Sequence, residues 1–194
     1  MRYLIRILRT LPAAGVLAII ATATAHAAAQ TDIAAPERLD AEGFKEVLVQ
    51  VGDVYISGQP TPVGLERMQA LGVTTVVNLR TVSEMDSREI VPFDEAEVLA
   101  SLGMNYVHIP AGGPATPYAP EMVERFATAL AEADGKVLLH CTVAWRASHL
   151  WTAYLTRYQG VALADAVAHS RQINLGELPL EGFLGERLLI QTAQ

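Results

Sequence analysis

The sequence predicts an α/β protein with three layers, α/β/α, around a largely parallel central sheet. Short runs rich in Val, Ile and Leu alternate with amphipathic segments that end at glycine, which is typical of βαβ units. The runs at 73–79 and 136–140 are centred on valine and leucine, as expected for buried strands. The second run leads directly into a polar loop and then a helix, an order that is typical of anion sites.

The individual elements follow from turn and capping signals. The segment 47–56 alternates around Gly52-Asp53 and predicts a small edge hairpin. Thr61 before Pro62 predicts a helix that ends near Gly72. The expected strands are then 73–79, 106–109 and 136–140, and the expected helices are 94–102, 120–133, 147–158, 162–172 and 180–190.

The N-terminus has the pattern of a secretory signal peptide over residues 1–27. Three arginines precede an apolar stretch at 11–23, and a small-x-small cleavage site follows at 25–27. Pro12 and Gly15 interrupt the apolar stretch, which argues against a transmembrane anchor. We therefore expect a periplasmic or secreted protein with no stable membrane anchor after cleavage.

After the signal, residues 28–42 are rich in alanine and lack periodicity, which predicts a flexible leader. Residues 43–194 are long enough for one domain with a substantial core. Loss of the three signal arginines takes the net charge from −7 to −10, and this acidity argues against nucleic acid as a partner. The histidines are scattered along the chain, so we predict no metal and no cofactor.

Cys141 is the only cysteine in the 194 residues, so it has no disulfide partner within the chain. It stands between the strand 136–140 and a helix, with Arg146 five residues further on. A helix N-terminus and a guanidinium both favour the ionised, nucleophilic thiolate. The alternative is that Cys141 packs in the core as a small apolar residue.

These residues resemble the signature of the cysteine-dependent protein tyrosine phosphatases, in particular their bacterial dual-specificity-like branch. The segments 55–60, 71–80 and 103–110 are similar to landmarks of that branch, and the same layout occurs in the phosphatase-like domain of beta-lactamase-hydrolase-like proteins. The resemblance implies a tyrosine-phosphatase-like domain over 43–194. It also implies Cys141 and Arg146 as catalytic residues, His140 as a residue that orients the loop, and substrate contacts from Thr142, Val143, Ala144, Trp145 and Ser148.

The loop departs from that family pattern in two ways. Four residues separate Cys141 from Arg146, whereas the phosphatases usually have five and rhodanese-type sulfurtransferases have four. The loop also lacks glycine, and Val143 and Trp145 resist positive φ, so we expect a cradle that is differently shaped or less complete. Ser148 lies seven residues after Cys141, where the resemblance places the hydroxyl that stabilises the leaving thiolate. Relative to the phosphatase pattern, therefore, either the arginine is shifted by one position or the loop is one residue shorter.

Other candidate groups follow the neighbouring strands. The carboxyl ends of parallel strands share one edge of the sheet, so Arg80 and the 111–113 loop are expected near Cys141. Arg80 is either a substrate-binding residue or a solvated arginine at a strand end. The segment 111–119 has no carboxylate that could protonate a leaving group, and the nearest substitutes by topology are Glu84, Asp86 and Glu121.

The sequence therefore predicts an exported cysteine-dependent phosphatase that hydrolyses phosphate monoesters through a phosphocysteine at Cys141. Its substrate would be a phosphorylated protein or a phosphorylated small molecule. One alternative is a sulfurtransferase that carries a persulfide on Cys141 and needs no general acid. The other is a module that binds phospho-anions with little turnover.

Overall fold

The computed structural model describes residues 33–176 and 180–188. Within them, six strands form one mixed sheet whose spatial order is β1-β2-β3-β6-β4-β5. In chain order the strands are β1 (Glu37–Arg38), β2 (Leu48–Val51), β3 (Val54–Ser57), β4 (Val73–Asn78), β5 (Asn105–His108) and β6 (Lys136–His140). The helices are α1 (Pro62–Ala70), α2 (Val82–Asp86), α3 (Glu95–Ser101), α4 (Pro120–Glu132), α5 (Trp145–Tyr158), α6 (Leu163–Arg171) and α7 (Leu180–Leu184).

Strand β6 lies inside the sheet, parallel to β3 on one side and to β4 on the other. Strand β5 pairs in parallel with the outer side of β4, while β1, β2 and β3 are antiparallel. The predicted hairpin is therefore present, but its second strand contacts β6 and is not at the edge. This arrangement places the end of β6, where the cysteine follows, in the middle of the parallel part of the sheet.

Successive side chains of a strand point to opposite faces, and the central strands bury both. On one face, Ile56, Val77 and Leu139 pack against the layer formed by α4, α5, α6 and α7. On the other face, Val76 and Leu138 pack against α1 and α3. The two cores give the three layers, α/β/α, that the sequence predicts.

Three differences from the sequence-based expectations concern the element ends. Helix α5 begins at Trp145, two residues before the expected start, so Arg146 lies in its first turn. Residues 37–38 of the predicted leader form a strand that pairs antiparallel with β2, in the register Glu37 to Gln50 and Arg38 to Val49. Helix α2 was not expected, and it forms because Thr81 and Glu84 make a reciprocal capping box.

The predicted signal peptide over 1–27 lies outside the described residues. The last expected helix, 180–190, is shorter than predicted, because α7 ends at Leu184 and Gly185 follows with a positive φ. Across 33–176 and 180–188, none of the helices has the length and apolar character that crossing a bilayer requires. Within the same ranges, no group of three His, Cys, Asp or Glu side chains is arranged to hold a metal ion.

Candidate active site

Cys141 lies at the carboxyl end of β6 and just before the N-terminus of α5. Its side chain is 1% exposed, and it forms part of the wall of an open cleft of about 400 Å³. The first N–H groups of the 14-residue helix α5 have no acceptor within the helix, and the helix dipole makes this end positive. Cys141 is thus buried, as the alternative interpretation expects, and it also borders a cleft at the positive end of a helix.

Ala144 gives the loop its shape. It is the residue that precedes α5, and its backbone is left-handed, with φ 63° and ψ 2°. The loop therefore makes the sharp turn for which glycine is the usual residue, and it makes it between Val143 and Trp145, which resist that conformation. The cradle is complete enough to start a helix, but it carries the conformational strain of a Cβ at this turn.

The loop is anchored from outside by its carbonyl groups. The N–H of Gln59 donates to the carbonyl oxygen of Thr142 at 3.0 Å, and Asn174 Nδ2 donates to that of Val143 at 2.6 Å. The contact with the 58–59 segment is close, since a Cβ on Gly58 would come 1.8 Å from the carbonyl oxygen of Lys45. Gly58 is therefore required by backbone packing beside the loop.

Arg146 donates to several acceptors at the edge of the sheet. Its Nη1 lies 2.8 Å from Glu84 Oε2 and 2.9 Å from the carbonyl oxygen of Ala111. Its Nη2 lies 2.8 Å from Glu84 Oε1 and 2.8 Å from Thr142 Oγ1. The guanidinium thus holds the Glu84 carboxylate in a two-pronged contact and joins the cysteine loop to the loop that follows β5.

Glu84 has an unusual environment for a carboxylate that is one-quarter exposed. Partial burial would raise the pKa of Glu84, but the hydrogen bonds from Arg146 and Thr81, together with the charges of both nearby arginines, lower the pKa from 4.5 to about 2. Burial lowers the pKa of Arg146, but the hydrogen bond to Glu84 and the charges of Cys141, Glu84 and Tyr118 together raise it overall. Both groups are ionised at neutral pH.

Arg80 lies beside this pair and is 2% exposed. Its Nη1 donates to Gln59 Oε1 at 3.1 Å, and its Nη2 lies 3.4 Å from Glu84 Oε1. Burial lowers the pKa of Arg80, which the charge of Glu84 partly offsets. The prediction that Arg80 lies on the same edge of the sheet as Cys141 is confirmed. Its guanidinium is buried against Glu84, so Arg80 is not the solvated strand-end arginine that was the alternative interpretation.

Ser148 and Trp145 occupy the first turn of α5. The Ser148 hydroxyl donates to the carbonyl oxygen of Trp145 at 2.8 Å, so its proton is directed along the helix and not toward Cys141. The indole of Trp145 is half-buried in the cleft wall, and its ring packs edge-on against His149 with the ring centres 5.0 Å apart. Trp145 therefore both borders the cleft and packs against the protein.

A buried polar network supports the strand ends beneath the cleft. Glu95 is 2% exposed and accepts from Gln59 Nε2 at 2.8 Å and Asn78 Nδ2 at 3.0 Å, while His140 Nε2 lies 2.9 Å away. Burial raises the pKa of Glu95, but the charge and hydrogen bond of His140 and the two amides lower it overall. The network fixes the imidazole that immediately precedes Cys141.

Several of these residues were not identified from the sequence. Glu84 was expected on the same rim as Cys141 and as a substitute proton donor, but not as the partner of Arg146, although Thr81-x-x-Glu84 is a recognisable capping box. Glu95 was missed altogether, and so was Tyr118, which lies in the wall of the same cleft as Cys141 and Arg146. Nothing in the local sequence distinguishes Glu95 from other acidic residues at helix starts, whereas Tyr118 has the only phenol in 111–119, the segment without a carboxylate.

Comparisons with solved structures place this geometry among phosphatase folds. A candidate phosphatase from Shewanella putrefaciens CN-32 is 29% identical, with 74% of this chain and 91% of that chain covered and a TM-score of 0.56. TpbA from P. aeruginosa, in a cysteine-to-serine variant bound to phosphotyrosine, is 19% identical over 71% of this chain and 78% of that chain, with a TM-score of 0.53. Tk-PTP, in a mutant form, is 20% identical, with 68% of this chain and 81% of that chain covered and a TM-score of 0.51.

A comparison with curated proteins found no match. A family model does match, over residues 46–156, and this range includes β2 to β6, the cysteine loop and most of α5. The matched part is more than half of the chain. The chain therefore belongs to the family of the beta-lactamase hydrolase-like protein, phosphatase-like domain.

Proposed function

We propose that the protein is a metal-independent cysteine phosphatase that hydrolyses phosphate monoesters. The observation that carries this proposal is the position of Cys141, at the end of the central strand and at the N-terminus of α5, in one cleft with Arg146. Family membership and the phosphatase-like fold support the same chemistry.

In the proposed reaction, the Cys141 thiolate attacks phosphorus, an S–P bond forms, and the P–O bond to the leaving group breaks. Helix N–H groups and the guanidinium of Arg146 stabilise the negative charge of the phosphoryl oxygens. Water then attacks the phosphocysteine, which releases inorganic phosphate and regenerates the thiolate. The substrate would be a phosphorylated protein or small molecule.

The proposal gives Glu84 a defined role. Its carboxylate holds both η nitrogens of Arg146 and so fixes the plane of the guanidinium beside the loop. Arg80 and Arg146 together offset the negative charges of the Glu84 carboxylate and the Cys141 thiolate at this edge of the sheet. An anionic substrate is therefore bound by the local guanidinium and helix N–H groups, although the whole chain is acidic.

The test is hydrolysis of p-nitrophenyl phosphate by the purified, reduced protein. Cys141→Ser should abolish it. Arg146→Lys should lower kcat/KM by about 100-fold, because a point charge cannot replace the planar fork. Arg88→Lys, at an exposed arginine paired with Asp94, is the matched control and should retain activity.

A sulfurtransferase remains the second candidate, because four residues separate Cys141 and Arg146 and such a reaction needs no proton donor. It would pass sulfur from thiosulfate to cyanide through a persulfide on Cys141. Thiocyanate formation without hydrolysis of the aryl phosphate would contradict the phosphatase proposal. If the folded protein neither hydrolyses the aryl phosphate nor forms thiocyanate, the remaining interpretation is a module that binds phospho-anions with little turnover.

We propose further that the protein is exported and acts in the periplasm or outside the cell. The basic, apolar and small-residue regions of 1–27 support this proposal. N-terminal sequencing of the protein recovered from cell fractions tests it. A mature N-terminus at Ala28 is expected, and recovery of intact protein from the cytoplasm alone would contradict export.

A further inference from the structure

The proposed hydrolysis needs a proton for the leaving oxygen, and the three carboxylates considered from the sequence do not supply it. Glu84 borders the cleft, but its pKa of about 2 and its bonds to Arg146 keep it ionised. Asp86 borders a different cleft, together with Asp94 and Tyr106. Glu121 is exposed on α4 and borders a third cleft.

Tyr118 lies in the wall of the same cleft as Cys141 and Arg146. Its hydroxyl lies over Gly112, where an added Cβ would come 3.1 Å from the phenolic oxygen. Its ring packs against Phe183, with ring centres 5.1 Å apart and planes inclined by 56°. The phenol is therefore held at the cleft by packing on one side and by the glycine backbone on the other.

The loop that carries Tyr118 is fixed relative to the anion clamp. The Gly112 N–H donates to the carbonyl oxygen of Thr116 at 2.6 Å, and the Thr116 hydroxyl donates to the carbonyl oxygen of Gly112 at 2.8 Å. The preceding carbonyl, that of Ala111, accepts from Arg146. A chain of direct contacts thus runs from the guanidinium through this turn to the backbone beneath the phenol.

The electrostatic environment keeps this phenol protonated. Burial raises the pKa of Tyr118, the positive charge of Arg146 opposes the rise, and the charges of Cys141 and Glu84 add to it. The group therefore carries its proton throughout the physiological pH range. The guanidinium of Arg146 is also the group that stabilises the phenolate when the proton leaves.

We propose that the hydroxyl of Tyr118 donates the proton to the leaving oxygen, in place of a carboxylic acid. This proposal rests on the phosphatase function proposed above. As the Cys141 sulfur bonds to phosphorus and the P–O bond breaks, the O–H proton of Tyr118 passes to the departing oxygen. In the second step, the Tyr118 phenolate takes a proton from the water that attacks phosphorus, and the S–P bond breaks to return the thiolate.

The experiment compares Tyr118→Phe with the unchanged protein in single turnovers, with enzyme in excess, so that only formation of the phosphocysteine is measured. Phenyl phosphate releases a leaving group with a pKa of about 10, which needs a proton, and its release should slow by about 100-fold in the variant. p-Nitrophenol is far more acidic, so its release in the first turnover should stay within about threefold.

Tyr158→Phe is the matched control, because Tyr158 is 45% exposed at the end of α5, and it should behave as the unchanged protein on both esters. Equal slowing of both esters by Tyr118→Phe would overturn the proposal and leave Tyr118 as a positioning residue. No slowing of either would also overturn it. An unchanged protein that is inactive on both esters would instead overturn the phosphatase function, which makes the two failures distinguishable.

Discussion

At the scale of single residues, Ala144 and Glu84 determine the shape and charge of the cysteine loop. Ala144 adopts φ 63°, where a Cβ lies too close to the following carbonyl. Glu84 forms a bidentate pair with Arg146 and accepts the Thr142 hydroxyl at 3.1 Å. One residue therefore carries strain, and the other neutralises part of the positive charge at the cleft.

Ala144→Gly should stabilise the protein. Glycine removes the steric cost of the left-handed backbone, which exceeds the entropy that glycine adds to the unfolded chain, so we expect a gain of about 0.5–1 kcal/mol in the free energy of unfolding. Urea denaturation measures it. Ala96→Gly, at an exposed helical position of α3, should instead lose about 0.5–1 kcal/mol. A loss at both positions would show that Ala144 is not strained.

Glu84→Gln should destabilise the protein in a pH-dependent way. The folded-state pKa of Glu84, about 2, is below its ordinary value of 4.5, so the carboxylate stabilises the fold above pH 4.5 and loses this effect as the pH falls through 2. At neutral pH, the variant should lose about 2 kcal/mol because Arg146 loses a charged partner. The difference between the two proteins should shrink as the pH falls from 4.5 toward 2.

Urea denaturation at several pH values checks this expectation. Glu121→Gln is the control, since Glu121 is exposed and has no salt bridge or side-chain hydrogen bond among the described contacts. A destabilisation by Glu84→Gln that is the same at pH 7 and at pH 3 would contradict the ion-pair explanation.

At the scale of the elements, a single carboxylate joins three strand ends and a helix. Glu95 begins α3, while its partners Gln59, Asn78 and His140 lie at or just after the ends of β3, β4 and β6. The end of each strand would otherwise bury unpaired donors, and each such donor costs free energy. The network therefore sets the relative positions of the elements beneath Cys141.

Glu95→Ala should lower the free energy of unfolding by about 3–5 kcal/mol, because it removes the acceptor for three buried side chains at once. Thermal and urea denaturation measure the loss. Glu97→Ala, at an exposed position two residues further along α3, should change stability by less than about 0.5 kcal/mol. Similar effects of the two substitutions would contradict a network centred on Glu95.

At the scale of the whole molecule, the chain before residue 43 contributes to the sheet and contacts the far end of the fold. Strand β1 covers the edge of β2, and Arg38 Nη2 donates to the carbonyl oxygen of Ile173 at 2.9 Å. Ile33 packs against the core that includes α5 and α6. The folded unit therefore begins earlier than the sequence predicts.

A protein that begins at residue 43 should be less stable than one that begins at residue 33, by about 2 kcal/mol, because it loses β1 and the hydrogen bonds of Arg38. Both should unfold cooperatively in urea, since the two cores remain. Arg38→Ala in the longer protein should reproduce part of the loss. Equal stability of the two truncated proteins would show that residues 33–42 are dispensable.

The sequence by itself determined the layered α/β fold, the order of its main elements, and the position of Cys141 between a strand and a helix. These features follow from apolar periodicity, from glycine and proline at element ends, and from the local order of residues 136–146. It also predicted that Arg80 and the 111–113 loop lie at the same edge of the sheet, because parallel strands align their carboxyl ends.

Only the tertiary structure decided which groups meet at that edge. Glu84 pairs with an arginine 62 residues away, and Glu95 with a histidine 45 residues away. Such contacts depend on how strands order themselves in the sheet and on how each side chain turns once its neighbours have packed, and no local pattern encodes either. The left-handed turn at Ala144 and the place of Tyr118 in the cleft wall were decided in the same way, by packing against segments distant in the chain.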